Sequence, residues 1–316
     1  MRRHGIMRGV VIGLALASVF GLAAGSAWAN EKFEEKFSKT EALAKDGRVT
    51  ITNISGSIAV KSWAKDEVLI EATKVANASS LDKAKENAAL VKIEVTKSGN
   101  ILQVETKYPE RSRNINVSVN YELTIPAVAS IKVRNISGSV NANGIGGAFE
   151  GNVTSGNLTV VQVGGGVDCK VTSGRIMIQD VAGDVDVKGI SGSIEATKVK
   201  GSVDVETTSG RITLSDISGA KSVRAHLTSG RISYDGEILA GGKYNFEAFS
   251  GGVDVTLPAS AAFDLEAQSF SGHVNSDFAI TMQGTVSSKE IRGVVNNGGA
   301  SLRLKTFSGS INIRKK

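Results

Sequence analysis

The chain has 316 residues with 37 Lys and Arg, 31 Asp and Glu, and a single cysteine, Cys169. One cysteine excludes intramolecular disulfides, so burial and hydrogen bonding must stabilise the fold. The first 29 residues hold three Arg and no acidic residue, which leaves 34 − 31 = +3 for residues 30–316. Arg314-Lys315-Lys316 supply most of that excess, so the basic balance predicts no nucleic-acid partner.

The first residues have the pattern of a secretory signal peptide. A basic start, Met1-Arg2-Arg3-His4, precedes an apolar run from Val10 to Ala24 and the small residues of Ser26-Ala27-Trp28-Ala29. The apolar run is too short for a membrane span, and nothing downstream offers a transmembrane segment. We therefore expect residues 1–29 to be a signal peptide and the protein to be exported. The periplasm is favoured, with the extracellular space or cell surface as alternatives.

A Ser-Gly dipeptide recurs along the chain and decides the predicted architecture. The ten copies begin at Ser55, Ser137, Ser155, Ser173, Ser191, Ser209, Ser229, Ser250, Ser271 and Ser308. The steps are 18 residues between Ser137 and Ser209, and 20 or 21 from there to Ser271. Around each copy, apolar residues fall into columns with a spacing of two, the period of a strand. The sequence predicts an all-β parallel β-helix, or solenoid, with coils of 18–21 residues and right-handed winding.

The residues beside each Ser suggest how the coils turn. Glycine tolerates positive φ, which a sharp corner needs, and the predicted structural corners are Gly56, Gly138, Gly156, Gly174, Gly192, Gly210, Gly230, Gly251, Gly272 and Gly309. The residue before Ser is apolar or Thr in every copy, for example Ile190, Thr208 and Phe249. We expect this column to face inward or to occupy a buried corner.

Residues 30–130 are predicted to form an N-terminal capping region with the first coil and an α+β insertion, and residues 131–316 the solenoid repeat domain. A helix is expected from Ser80 to Leu90, with Ser80 as N-cap. Strands are expected at Phe33–Leu43, Glu67–Val75, Val91–Thr96, Ile101–Lys107 and Ile115–Ile125. The cap would protect one exposed sheet edge, and the other end, at Ile313, would have only the basic tail.

Several segments together resemble a known family. They are Gly47–Gly56, Trp63 with Asp66-Glu67-Val68, Tyr121–Pro126, and the Thr-Ser-Gly-Arg-Ile repeats around Ser173, Ser209 and Ser229. In order and content they are similar to the bacterial "putative adhesin" β-strand-repeat family, a domain of unknown function in envelope proteins. The resemblance implies a solenoid of short strands and supplies no catalytic residue to carry over.

The sequence predicts no catalytic residue, cofactor or metal site. Asp168, Asp186 and Asp204 share one outward column, which we interpret as a surface charge ladder neutralised diagonally by Lys170 and Lys188. The segment Gly164–Asp168 comes nearest to the repeat of calcium β-rolls, but its spacing does not fit.

Arg175, Arg211 and Arg231 each follow Ser-Gly directly and form the candidate ligand-binding ridge. Arginine suits carboxylate, sulfate or phosphate groups, so an anionic glycan or a lipid headgroup fits this ridge. The alternative is that these residues only keep an exposed corner soluble.

The sequence favours a non-catalytic exported envelope protein, an adhesin-like binding or scaffolding module whose partner is an envelope protein or an anionic glycan. One alternative is a structural solenoid that self-associates into oligomers or polymers. A weaker alternative is a polysaccharide-active β-helix enzyme.

Overall fold

The computed structural model describes residues 31–109, 115–282 and 288–316, so the predicted signal peptide lies outside the described residues. These residues form 23 strands and one short helix, α1 (Leu81–Leu90). No helix among them is long and apolar enough to cross a membrane. The strands are β1 (Glu31–Ala42), β2 (Arg48–Ser55), β3 (Ile58–Trp63), β4 (Glu67–Ala78), β5 (Lys92–Ser98), β6 (Ile101–Lys107), β7 (Asn116–Pro126), β8 (Ser130–Ser137), β9 (Val140–Ile145), β10 (Phe149–Ser155), β11 (Leu158–Val163), β12 (Val167–Ser173), β13 (Ile176–Val181), β14 (Val185–Val199), β15 (Val203–Ile217), β16 (Ser222–Gly236), β17 (Lys243–Leu257), β18 (Phe263–Ser271), β19 (Val274–Ser276), β20 (Thr281–Met282), β21 (Glu290–Val295), β22 (Ala300–Ser308) and β23 (Ile311–Lys315).

Each Ser-Gly copy joins two strand segments into one rung, and the rungs stack in parallel register. The segment before Ser pairs with the equivalent segment of the next rung, as in Val167 with Val185 and Val185 with Val203. The segment after Gly does the same, as in Ile194 with Ile212. Ser residues of neighbouring rungs lie opposite one another, so the columns seen in the sequence are columns in space. In β14 to β17 the two segments form one continuous strand through the corner.

A single hydrophobic cluster fills the interior of the stack. It is built from the inward residues of both segments, with Val167, Cys169, Ile176 and Ile178 as a representative rung. Alternation of buried and exposed residues along each segment fixes this face, because successive strand side chains point to opposite sides. The largest fully buried side chains are Tyr121, Tyr234, Tyr244, Phe149, Phe246 and Phe263.

The corner glycines are required by conformation and by space. Nine of the ten predicted corners have φ between +118° and +151°, as expected, whereas Gly272 is not in the positive-φ range. A Cβ added to Gly210 would lie far inside van der Waals contact of the Gly192 carbonyl oxygen, and Gly272 has the same conflict with Gly309. Successive corners therefore pack backbone against backbone, which only glycine allows.

The N-terminal end is covered much as the sequence predicts. Strand β7 pairs with β3, and β4 and then β1 continue this sheet in antiparallel order. The hairpin β5–β6 extends the stack of segments that precede Ser, because β6 pairs in parallel with β2 and β5 pairs with β6. Helix α1 packs against β4 and β1, and the Ser80 hydroxyl accepts a hydrogen bond from the Lys83 amide at 3.3 Å. The predicted helix, its N-cap and the five capping strands are confirmed, with ends shifted by a few residues.

The C-terminal end differs from the expectation. The last rung of the sequence, β22 and β23, lies between β17 and the rung of β18 and β19. Ile313 is therefore internal, and the expectation of an open end there is wrong. The outer rung is followed by β21, which pairs antiparallel with β18 and with the short β20. Lys316 forms an ion pair with Asp235, so the basic tail packs along the rod.

Candidate functional site

The acidic column contains four carboxylates at successive rungs: Glu150, Asp168, Asp186 and Asp204. Cations close both of its ends, because Lys132 pairs with Glu150, and Arg224 lies 3.6 Å from Asp204. The hydrogen bond from Lys132 is the main reason that the pKa of Glu150 is lowered. The predicted diagonal pairing with Lys170 and Lys188 is absent among the described residues. Neutralisation occurs at the column ends instead.

Within the described ranges, the surroundings of these acids include a groove and a buried cysteine. No group of three or more His, Cys, Asp or Glu side chains there is placed to hold a metal ion. A groove of about 630 Å³ runs beside the column, lined by the acids and by Arg48 and Arg224. Cys169 is fully buried, and burial raises the pKa of its thiol, so it cannot act as a nucleophile.

The residues directly before Ser form an exposed column, contrary to the expectation that they are buried. Exposure reaches 58% for Phe249, 66% for Phe270 and 47% for Phe307. The apolar column consists of Ile54, Ile136, Thr154, Thr172, Ile190, Thr208, Thr228, Phe249, Phe307 and Phe270 in spatial order. It is an uncharged line along the whole stack.

The expectation failed because apolar character was weighed above strand alternation. The residues six, four and two positions before Ser are buried, as in Val167, Cys169 and Val171. Because successive strand side chains point to opposite sides, the residues five, three and one positions before Ser face outward. Counting by twos from Val167 would have placed Thr172 outside. Apolar residues on a protein surface are common singly, whereas adjacent exposed ones, such as the three phenylalanines at one end of this column, mark a contact surface.

The three phenylalanines stack face to face. Ring centroids are 5.0 Å apart for Phe249 and Phe307 and 4.7 Å apart for Phe270 and Phe307, with interplanar angles of 4° and 6°. Both faces of Phe307 are therefore covered by its neighbours. Phe249 and Phe270 each have one face covered by Phe307.

The arginine ridge runs along one side of the apolar column, but it is interrupted. Arg211 and Arg231 lie at adjacent rungs, whereas Ser193 separates Arg211 from the rung of Arg175. Arg231 forms an ion pair with Asp254. Arg175 and Arg211 are exposed and make no ion pair with another described residue.

A second row of cations lies on the other side of the apolar column, three residues before Ser, and the sequence interpretation missed it. This basic row consists of Arg134, Lys170, Lys188 and Lys305, and the same column holds two acids, Glu206 and Glu247. A groove of about 510 Å³ lies between the row and the column, with Ile54, Ile136 and Ile190 in its lining. We call the apolar column, the arginine ridge and the basic row together the Ser–Gly edge.

Charge is unevenly divided between this edge and the rest of the protein. The two flanking columns carry seven cations and two acids, a net charge of +5. Residues 30–316 total +3, so the remainder of that stretch carries −2. The Ser–Gly edge is thus basic on a protein that is otherwise slightly acidic, and its cations lie on both sides of the uncharged column.

Comparison with known proteins identifies the family. The sequence model of the Toastrack DUF4097 family matches residues 47–314, which is most of the chain. The chain belongs to this family. The likeness to the "putative adhesin" domain of unknown function is confirmed, and the Toastrack fold is all-β and solenoid-like.

Several solved structures show a low similarity to the chain. A "putative adhesin" from Parabacteroides merdae is 11% identical, with 88% of this Toastrack chain and 96% of that chain covered and a TM-score of 0.42. One from Bacteroides fragilis is 12% identical, with coverage of 89% and 97% and a TM-score of 0.38. A "Putative lipid binding protein" from Parabacteroides distasonis is 12% identical, with coverage of 88% and 96% and a TM-score of 0.41. No curated protein sequence matches the chain. The family assignment therefore depends on the family model.

Proposed function

We propose that this Toastrack protein is a non-catalytic binding or scaffolding module of the bacterial envelope that acts through its Ser–Gly edge. The observation that carries the proposal is the uncharged column that continues over ten rungs, with seven cations and two acids in the two columns beside it. At about 4.8 Å per rung, the edge extends for roughly 50 Å. An array of this length favours an extended anionic partner over a small molecule.

Export to the periplasm is part of the proposal, and the pattern of residues 1–29 supports it. The proposal also includes right-handed winding, coils of 18–21 residues, and the division into a capping region at 30–130 and a repeat domain at 131–316. Pairing of residues 18 positions apart, such as Asp168 with Asp186, supports the coil length. The usual handedness of parallel crossover connections supports the winding.

Self-assembly through the rod ends is less well supported. At one end the edge strands are β1 and β5, which both carry Lys and Glu residues, and in β1 Lys32 and Lys39 pair with Glu34 and Glu41. At the other end, antiparallel β21 and the short β20 follow the last rung. Charged or short edge strands disfavour end-to-end pairing.

Sedimentation with isolated envelopes tests the proposal. The exported protein and its R175A/R211A/R231A variant are mixed with envelope fragments, with K200A/K221A/K243A as a control that removes three exposed cations outside the Ser–Gly edge. We expect the first variant to bind at least several-fold more weakly and the control to bind like the parent. Equal binding by all three would contradict a role for the arginine ridge.

Two further measurements address the alternatives. Light scattering over a concentration series would reveal oligomers or filaments, which the structural-solenoid alternative requires. Turnover of acidic polysaccharides, measured for the parent and for Asp186→Ala, tests the enzyme alternative. We expect a concentration-independent mass and no turnover.

A further inference from the structure

The Ser–Gly edge presents apolar and cationic groups in an order that selects among anionic partners. The apolar column is exposed along its length, with Phe249, Phe270 and Phe307 at one end and Ile54 and Ile136 at the other. An anionic glycan would account for the cations on both sides. It would leave the exposed Ile and Phe side chains without a role.

The geometry of the phenylalanine stack also argues against a sugar platform. Sugars pack their C–H groups against open aromatic faces, and here stacking at interplanar angles of 4° and 6° covers both faces of Phe307 and one face each of Phe249 and Phe270. What the stack offers outward is a ridge of ring edges. Such a ridge suits insertion between lipid headgroups, where aromatic residues are enriched.

The cations have the placement that this use requires. Arg175 and Arg211 on one side and Lys188 on the other are exposed and make no ion pair with another described residue. These cations flank the centre of the column, at Thr172, Ile190 and Thr208, and the Ile and Phe clusters lie toward its two ends. A surface that combines exposed apolar side chains with Lys and Arg is typical of proteins that lie in the interface of an anionic bilayer. The acidic column lies one outward position beyond the basic row, so it would remain away from the membrane.

We propose that the Ser–Gly edge binds the surface of an anionic phospholipid bilayer, with the rod lying along the membrane, Phe and Ile side chains at the level of the headgroups, and the flanking cations on phosphates. This inference rests on the proposed function, because it names the partner of the same edge. No membrane span is involved.

Vesicle binding by the exported protein is the direct test. We expect sedimentation with vesicles of phosphatidylglycerol mixed with phosphatidylcholine, and none with phosphatidylcholine alone. Removing three edge cations in R175A/R211A/K188A should weaken binding about 100-fold at low salt, since each basic residue near an anionic surface contributes about fivefold. The matched control K200A/K221A/K243A should stay within about threefold of the parent, although it loses the same net charge. An equal loss in both variants would overturn the proposal.

Insertion of the apolar column has its own readout. In Phe270→Trp the new indole is at the outer end of the ring stack, and Trp63 is the only other Trp in residues 30–316. We expect the emission of Phe270→Trp, after subtraction of the parent, to shift to the blue with phosphatidylglycerol vesicles and not with phosphatidylcholine. A thermal melt like that of the parent shows that the variant is folded. Binding without a blue shift would overturn insertion of the column.

The two proposals fail in distinguishable ways. If the protein binds isolated envelopes through the arginine ridge but ignores phosphatidylglycerol vesicles, the membrane inference is wrong and the proposed function stands. Binding to a soluble anionic polysaccharide with the same dependence on Arg175 and Arg211 would identify a glycan as the partner instead. If neither envelopes nor vesicles are bound, both proposals are wrong.

Discussion

The central rungs and the end rungs of the rod differ at the position two residues before Ser. In the centre this inward position is mostly apolar or lacks a side chain: Val153, Val171, Gly189, Leu227 and Ala248. Towards the ends it holds hydrogen-bonding side chains that are buried: Asn53, Asn135, Ser269 and Thr306. In the centre this position supplies no side-chain hydrogen bond to the corner.

At the ends these polar side chains bind backbone carbonyls. Asn53 donates to the Val119 carbonyl at 3.0 Å, Ser269 to Gly309 at 2.8 Å and Thr306 to Gly251 at 2.9 Å. Regular stacking therefore needs little beyond glycine and apolar residues. Where the regular order is interrupted by the N-terminal insertion or by the displaced last rung, side chains complete the hydrogen bonding.

The largest effect is expected from adding a methyl group to a central corner. In Gly210→Ala the new Cβ would clash with the Gly192 carbonyl, at φ +136°, so both backbone strands would have to separate. We expect a loss of at least about 3 kcal/mol in the free energy of unfolding, measured with urea.

The matched control for this prediction is Gly99→Ala, in the β5–β6 turn of the N-terminal end. Gly99 also has positive φ, +59°, but an added Cβ would meet nothing within 4 Å. The control isolates the conformational cost, about 1 kcal/mol. Similar losses in the two variants would mean that backbone approach between rungs is not what requires glycine at the corners.

A pair of isosteric substitutions tests the difference between centre and end. Thr207 is the central exception, because its buried hydroxyl has no hydrogen-bond partner among the described residues. Replacing an unsatisfied hydroxyl with a methyl group should stabilise, so Thr207→Val should gain about 1 kcal/mol. Thr306→Val removes the bond to the Gly251 carbonyl and should lose about 1 to 2 kcal/mol. Urea unfolding of both variants measures the difference, and changes of equal sign would contradict the comparison.

Alkaline pH should weaken the N-terminal end through Tyr121. Burial is the main cause that raises the pKa of Tyr121 to about 12, and its hydroxyl lies 2.6 Å from that of Thr106. A folded-state pKa above the unfolded value of about 10 means that stability is complete below pH 10 and declines as the pH rises towards 12. The loss at pH 11 should be about 1.4 kcal/mol.

Thermal melts from pH 8 to pH 12 test this prediction, with Tyr121→Phe as the comparison. The variant has no phenol to ionise, so its melting temperature should decline less steeply above pH 10 than that of the parent. Parallel curves would show that Tyr121 does not carry the alkaline effect.

Most of the rung structure could be predicted from the sequence because the repeat makes each column visible ten times. Helix α1 was also predictable, since Ser80 is a local N-cap signal. The spatial order of the last rungs was not. All rungs present the same inward columns, so β22 can pair with β17 as well as β18 can, and the sequence contains no signal that chooses between them.

The candidate site divides in a similar way. The arginine ridge followed from the position after Ser-Gly, whereas the exposure of Phe249 was missed because apolar residues were assumed to face inward. Strand alternation contained the correct answer. The left-handed residues seven positions after Ser were missed for another reason. Among these left-handed residues only Gly144 is a glycine, the residue type that signals positive φ in a sequence. The same column continues with Gln162, Asp180, Lys198 and Asp216, which also have positive φ.

This left-handed column supplies the smallest predicted effect. Lys198 has φ +57°, a conformation that costs a residue with a Cβ about 1 kcal/mol, and Gly144 adopts it at φ +72° in an earlier rung. Lys198→Gly should therefore gain about 0.5 to 1 kcal/mol in urea unfolding, part of the relief being offset by the greater freedom of glycine in the unfolded chain. Gly144→Ala is the reverse control and should lose about 1 kcal/mol, because the added Cβ has room, with Ser62 Oγ at 3.4 Å, and pays only the conformational cost. If Lys198→Gly destabilised the protein, the Lys198 side chain would have to stabilise the fold by more than its positive φ costs. The central rungs would then depend on side chains outside the core, whereas the end rungs depend on polar side chains inside it.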